Sequence, residues 1–408
     1  MHVLYSRCAG LDVHKDSVVG RIRCVSEPLH DEVKSFETTT SALLEMSEWL
    51  TEHGVTHVAM EATGVYWKPV WHLLEGDFEL VLANAQHIRN VPGRKSDVND
   101  ATWIADLLAH GLIRSSFVPP PRIQELRDLT RTRKQLVREI SQHSSRIQKT
   151  LEDANLKLGS ILSDVLSKSG RAILDAIIAG QSDPEKLADL AQGRAIKKRA
   201  ELVQALHGRV RDHHRGLLKV HLSLIAALVD ALAQIDATVG KTLAPIHDSA
   251  RLLTTLPGVS DLTARVMVAE IGVDMTRFAT AAHLISWSGL CPRSDESAGK
   301  RRSTRVRKGA PWLKTALVTA AWAAVRVKNS YLQAQFHRLR ARRGAKKAII
   351  AVAASMLTAA YHMIKKGVPY QDLGAAHLAH RDHAKSVARL VRRLNELGCQ
   401  VQVTPQAA

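Results

Sequence analysis

Three consecutive prolines, Pro119, Pro120 and Pro121, cut this sequence into parts that cannot share one element. Proline fixes φ and lacks an amide proton, and the residue before a proline is pushed out of the helical region. Neither a helix nor a central strand runs through such a triplet. The pattern also differs on its two sides. Before it, short apolar runs alternate with amphipathic segments; beyond it the periodicity is helical throughout. A domain boundary is expected there, and 408 residues suffice for two or three domains with ample core.

On the N-terminal side, Ala9-Gly10-Leu11-Asp12-Val13-His14-Lys15 is a small apolar run ending in charge. Val18, Val19, Ile22 and Val25 follow with β-branched side chains, so a strand and hairpin are expected through residues 17–25, with a third strand near 32–38. A helix is expected over 40–53, with Leu43, Leu44, Met46, Trp49 and Leu50 on one face. A buried strand over 56–60 then leads into Glu61. A helix over 65–74, a strand over 78–83 and a helix over 101–113 complete the region, the last striped by Ile104, Leu107, Leu108 and Leu112. A leading hairpin followed by alternating β and α predicts a mixed sheet covered by helices.

Beyond the prolines, Leu126, Leu129, Leu136, Ile140, Ile147 and Leu151 form one stripe, and Leu218, Leu222, Ile225, Leu228, Leu232 and Ile235 form another. Two long amphipathic helices joined by shorter ones predict an antiparallel coiled-coil arm, with an ordinary helical bundle as the alternative. Residues 252–272 read as helix, Pro-Gly turn, helix: a phosphate-binding hairpin or a plain helical corner. Ala-rich apolar helices are expected over 310–327 and 346–365, and a polar helical tail over 377–397. The expected domains are 1–116, an arm over 122–245, a mainly α domain over 250–370 and a tail over 371–408.

The formal charge is +18 and the pI about 10.0, which calls for a polyanionic partner, nucleic acid or an anionic membrane surface. Residues 297–371 contain no Asp or Glu and 17 Lys and Arg, so one region carries nearly the whole excess. Lys300, Arg301, Arg302, Arg305, Arg307, Lys308, Arg338, Arg340, Arg342 and Arg343 are its candidate nucleic-acid contacts. Aromatic content is 4%, so base stacking is not the main mode of binding. Cys8, Cys24, Cys291 and Cys399 are scattered without a CxxC, so neither a disulfide framework nor a zinc module is indicated and a reducing cytoplasm is expected. No uninterrupted apolar run approaches the ~18 residues of a membrane span, and no signal-peptide core is seen near Met1.

Chemistry enters through carboxylates. Asp12 and Glu61 each end an expected strand, and Asp97 and Asp100 lie one helical turn apart after Val91-Pro92-Gly93-Arg94. Four acids gathered from such positions can hold two Mg²⁺ ions for phosphodiester chemistry. The alternative is a set of surface acids with Asp97 capping a helix. Asp106 is a weaker candidate, poorly aligned with Asp100.

The motifs narrow this choice. Gly10-Leu11-Asp12-Val13-His14-Lys15, Glu61-Ala62-Thr63-Gly64, and Lys95-Ser96-Asp97-Val98-Asn99-Asp100-Ala101 with Ile104-Ala105-Asp106-Leu107-Leu108 resemble the N-terminal domain of the DEDD transposases of the one-ten insertion-sequence family. That domain is similar to the RuvC Holliday-junction resolvase. Leu256-Pro257-Gly258-Val259-Ser260, Gly289-Leu290-Cys291-Pro292, Glu296-Ser297-Ala298-Gly299-Lys300, Arg307-Lys308-Gly309 and Leu313 resemble the family's second domain. The resemblance covers roughly 9–113 and 250–325, in the family's order. It implies an RNase H-like (RuvC-like) α/β N-terminal domain, a helical coiled-coil arm and a mainly α C-terminal domain. It implies Asp12, Glu61, Asp97 and Asp100 as ligands of two Mg²⁺ or Mn²⁺ ions, and Ser297 as a nucleophile that joins DNA covalently. Ser-Ala-Gly stands here where Ser-Gly-Gly or Ser-Ser-Gly is commoner, which leaves Ser294 and Ser303 a claim to that role; Ser96 stands where Thr is usual. The resemblance further implies excision and insertion of an element, a structured guide RNA, and homodimers that pair into tetramers. Its alternative is a RuvC-like structure-specific endonuclease using water. A non-enzymatic basic architectural protein is a third class, disfavoured by the order of the four acids.

Overall fold

A computed structural model describes residues 3–25, 30–62, 64–89, 91, 100–292, 295–303, 305–307, 309–377 and 383–403. The chain forms two compact units, Met1–Val118 and Pro119–Ala408, with the division at the first of the three prolines.

In the first unit β1 (Arg7–Val13), β2 (Ser17–Cys24) and β3 (His30–Glu37) make an antiparallel meander. Strands β4 (His57–Glu61) and β5 (Glu79–Ala83) then extend the sheet parallel to β1, giving the order β3-β2-β1-β4-β5. The helices are α1 (Thr40–Glu52), α2 (Trp67–Leu74), α3 (Ala85–Arg89) and α4 (Asp100–Ala109). Thr39 starts α1 as its cap, its hydroxyl accepting from the Ala42 amide. Strand alternation sorts the side chains onto two faces. Leu11, Val13 and Met60 pack with Leu43, Met46, Trp49, Leu50, Val70 and Leu74 under α1 and α2. Cys8, Ala59 and Ala83 pack with Ile88, Ile104, Leu107 and Leu108 under α3 and α4. The sequence misplaces two positions: Leu44 and Leu112 are exposed. Leu44 sits on the outer side of α1. Helix α4 stops at Ala109, because Gly111 takes a left-handed φ of +66°, and Leu112 falls beyond its last turn.

The second unit is helical. Its two long members are α5 (Pro121–Asp153) and α10 (Asp212–Leu243). They are antiparallel: Arg133 pairs with Asp236 at 2.6 Å, His143 with His221 at 3.2 Å and Asp153 with His214 at 2.9 Å. Between them in sequence come α6 (Leu158–Ile161), α7 (Lys168–Ile178), α8 (Pro184–Ala188), a 3₁₀ turn (Gly193–Lys198) and α9 (Arg199–Ala205). They close the far end of the pair around Ile147, Leu151, Leu218, Leu222 and Ile225, so that end of each expected stripe meets in one core, which Leu126, Leu129, Leu136, Leu228, Leu232 and Ile235 do not join.

After α10 come α11 (His247–Leu253), α12 (Asp261–Ile271), α13 (Ala281–Trp287), a hairpin of β6 (Asp295–Ser297) and β7 (Lys300–Ser303), then α14 (Pro311–Ala324), α15 (Tyr331–Arg343) and α16 (Ala345–Lys366). Helix α16 is the central post, burying Ala348, Val352, Ala353, Met356, Leu357 and Ala360. A last helix, His383–Glu396, follows. The Pro-Gly corner between α11 and α12 packs inward: a β-carbon on Gly258 would lie 2.3 Å from the Ala320 carbonyl of α14. That glycine answers a packing demand, and the helical corner is the form observed.

One buried ion pair ties the long helices to this C-terminal bundle. Glu270 of α12 is 1% exposed and receives Arg131 of α5 at 2.8 and 2.9 Å. Arg127 donates to the carbonyls of Ala269 and Glu270, so both arginines are spoken for within the fold. The arm and bundle therefore pack as one body.

Candidate active site and nucleic-acid surface

The acids of the first unit are positioned by strand register and one close contact. Leu11 of β1 stands beside Met60 of the parallel β4, so the next pair along is Asp12 and Glu61. Leu11 and Met60 both face α1 and α2, which by alternation turns Asp12 and Glu61 to the opposite face, the side of α4. Gly10 then brings α4 onto that face. A β-carbon at Gly10 would lie 2.3 Å from the Ala101 carbonyl and 2.4 Å from the Ala105 amide, both backbone atoms. The first turn of α4 therefore lies on β1 two residues from Asp12, and Asp100 is the residue that starts that helix. Asp12, Glu61 and Asp100 occupy one face and one end of the sheet, where the carboxyl ends of β1 and β4 meet the N-terminus of α4.

Asp12 is partly buried, with 19% of its side chain exposed, and its carboxylate lies 3.1 Å from Nε2 of the exposed His14. Asp97, Lys308 and Ser294 lie outside the described residues. Asp106 has another role: it forms an ion pair with Arg23 of β2, on the same helix but toward the other end of the sheet. Within a 4.8 Å limit, the groups of three ligand atoms found among the described residues are His30, Glu32 and His53, and Asp153, His213 and His214; the three acids are not gathered so tightly.

Ser297 sits in the second unit, as the last residue of β6, paired with Lys300 across a two-residue turn. Ala298 and Gly299 both have positive φ, +50° and +74°, as a type I′ hairpin requires. Glycine meets that demand without strain. Alanine in the left-handed region costs about 1–2 kcal/mol, so the turn beside Ser297 carries stored strain. Ser303, the neighbouring candidate, closes β7 and its hydroxyl accepts from the Arg305 amide at 3.2 Å.

The cations expected from the sequence divide by element. Lys300, Arg305 and Arg307 lie exposed around the hairpin, and Arg338, Arg340, Arg342 and Arg343 are exposed toward the end of α15. Arg301 and Arg302 belong to β7. Lys314 is different: its ammonium donates to the Arg307 carbonyl at 2.9 Å, and burial lowers its pKa, so it braces the hairpin's base. A second basic surface escaped the composition scan. Arg131, Arg133, Lys134 and Arg138 of α5 line a cavity of about 160 Å³ with Trp312 of α14 and Glu270. The Arg138 and Arg131 guanidinium groups lie 5.1 and 5.8 Å from the Trp312 ring. Its signal was present, since Arg127, Arg131, Lys134 and Arg138 recur at helical spacing, but acids interspersed on the other faces of α5 hid it.

With this geometry in view, the comparisons with known proteins are decisive. Residues 9–155 match a transposase family model, that of the DEDD transposases of the IS110 type, and residues 250–337 match the transposase IS116/IS110/IS902 family. The protein is thus an enzyme of DNA transposition or recombination. It belongs to the IS110 family of transposases. It is similar to an insertion element IS110 protein of 43.6 kDa from Streptomyces coelicolor, 26% identical over 69% of this chain and 73% of that protein. It is also similar to a pilin gene-inverting protein from Moraxella bovis, 28% identical over 35% of this chain and 45% of that protein.

Proposed function

We propose that this transposase excises and inserts its element with both the carboxylates of the first unit and Ser297 of the second, the RuvC-like unit of one subunit acting with the serine of another. The observation that carries this reading is the collection of Asp12, Glu61 and Asp100 at one sheet end by the Gly10 contact. The strand order, a three-stranded meander extended by two strands parallel to its first, supports an RNase H-like, RuvC-like unit. A donor set made only of carboxylate oxygens at an open sheet end fits a hard divalent ion, so Asp12, Glu61 and Asp100, with Asp97, would hold Mg²⁺ or Mn²⁺. Such ions, when bound, stabilise the attacking and leaving oxygens of a phosphoryl displacement.

The residues of the chain do the rest. The Ser297 hydroxyl attacks the phosphorus and the 3′ or 5′ oxygen of the cut strand leaves, so the phosphodiester bond is exchanged for a phosphoserine bond of similar energy. A strand-end hydroxyl then displaces the serine and restores a phosphodiester. Lys300 and its neighbours supply positive charge along the hairpin, which suits the phosphates of a duplex.

The remaining features concern partners. Exposed cations at the hairpin and on α15, with Lys134 and Arg138 beside Trp312, suit the phosphates of DNA and of a structured guide RNA. Helix α10 carries Leu217, Val220 and Leu224 exposed at helical spacing, opposite the stripe that packs on α5. That stripe supports a homodimer built along the arm, with dimers pairing into tetramers. It also explains why the helical run Asp212–Leu253 is long and apolar enough to span a bilayer while only 17% of its apolar window is buried. Work on DNA supports a cytoplasmic location.

The test is recombination of donor and target plasmids by purified protein with the RNA transcribed from the element's flank. Exchange that needs Asp12, Ser297 and the RNA is expected. Junction cutting that survives Ser297→Ala would point to the water-using nuclease instead.

A further inference from the structure

His30, Glu32 and His53 form a cluster at the end of the sheet remote from Asp12. Cys24 of β2 pairs with His30 and, on the other side, with Arg7, the first residue of β1, whereas Asp12 lies five residues farther along. Alternation puts His30, Glu32, Lys34 and Phe36 on one face of the edge strand β3. That face meets α1, because Phe36 packs against Trp49 with ring centres 5.3 Å apart. His53 caps the C-terminal end of α1, one turn after Trp49.

The three side chains already stand together, with the His30 and His53 rings stacked at 4.4 Å between centres. His53 Nδ1 lies 2.7 Å from the Trp49 carbonyl, so it must carry the proton and donate, which leaves Nε2 as the lone-pair nitrogen. That Nε2 is 3.8 Å from Glu32 Oε2, and His30 Nε2 is 2.9 Å from the same oxygen. All three ligand atoms lie within 4.8 Å of one another. Tetrahedral coordination with bonds of ~2.0–2.1 Å separates neighbouring donors by about 3.3 Å, between the two observed spacings.

We propose that His30, Glu32 and His53 bind one Zn²⁺-class transition ion that clips the edge strand β3 to the end of α1. Two imidazoles and one carboxylate select a borderline ion, whereas the all-oxygen acids at the other end select a hard one, so the two sites differ in metal as well as in place. The fourth position is left for water. The role is structural: an edge strand pinned to a helix is withheld from pairing with other chains.

Full-length protein stripped with chelator and titrated with Co²⁺ tests this through the visible absorption of tetrahedral cobalt. One saturable equivalent is expected, displaced by Zn²⁺, with affinity lowered roughly tenfold to a hundredfold by His53→Ala and by His30→Ala. His30→Ala, at the partly exposed strand end, keeps the test valid should His53→Ala fail to fold. Asp12→Asn and His213→Ala should leave the titration unchanged. No saturable uptake, uptake indifferent to both His30→Ala and His53→Ala, or uptake lost only in His213→Ala would overturn the proposal.

Discussion

The two places proposed to carry this transposase's chemistry are built in opposite ways. The acid end of the first unit is held by backbone: strand register fixes Asp12 beside Glu61, and helix α4 presses on Gly10 with no room for one more carbon. The Ser297 hairpin is two short strands with a register irregularity at Asp295 and Glu296, a turn strained by Ala298, and cations around it. The contrast teaches a division of labour. On the proposed reading, carboxylates that share ions need fixed spacing, and a sheet supplies it, whereas the serine stands beside a two-residue turn.

The sharpest way to break the comparison is at Gly10. Gly10→Ala places a carbon against the α4 backbone and should cost about 3 kcal/mol or more, above the usual range for overpacking because no flexible side chain can yield. Denaturant unfolding should register that loss, and recombination should fall with it. An intact midpoint would mean that α4 is free to shift and does not fix Asp100.

Glu270→Ala comes next in size. It leaves Arg131 and Arg127 without their buried carboxylate, and a loss of about 3–5 kcal/mol is expected in the unfolding of the second unit. The first unit's transition, followed separately by proteolysis, should not move.

Thiol chemistry gives a third and milder contrast. Burial pushes the Cys8 thiol up to about 12, so at pH 8 its thiolate fraction is on the order of 10⁻⁴. Cys8 should resist maleimide in the native protein while the exposed Cys399 reacts. Rapid labelling of Cys8 would show that the α4 face opens. Smallest of all, Ala298→Gly relieves the left-handed alanine beside Ser297. Slower amide exchange at Lys300, by roughly fivefold for about 1 kcal/mol, is expected with recombination retained. Faster exchange would mean that the turn is not strained.

The same contrast explains what could be read from the sequence. The five strands and three of the four helices beside them, α1, α2 and α4, follow from alternation, β-branching and turn residues, whereas the five-residue α3 was not expected because it is too short to show a helical stripe. Asp12, Glu61 and Asp100 each lie at or next to the end of an element, which is why their shared sheet end could be anticipated. The reason α4 lies where it does is the missing side chain of Gly10, and one glycine among 23 does not announce that role. Helix α15 went unnamed because Arg338, Arg340, Arg342 and Arg343 blur its apolar stripe. The Trp312 groove and the His30, Glu32 and His53 cluster join residues from separate elements at spacings no linear motif encodes. Glu270 gave no warning that it would be the buried anchor of the arm.

The most direct measurement is a denaturing gel of the protein incubated with its labelled element-end DNA, guide RNA and Mg²⁺. A composite site predicts a protein–DNA adduct for the native chain and none for either Asp12→Asn or Ser297→Ala, each folded and DNA-bound. An adduct that persists without the Asp12 carboxylate, or without the Ser297 hydroxyl, would contradict the joint action of the two regions.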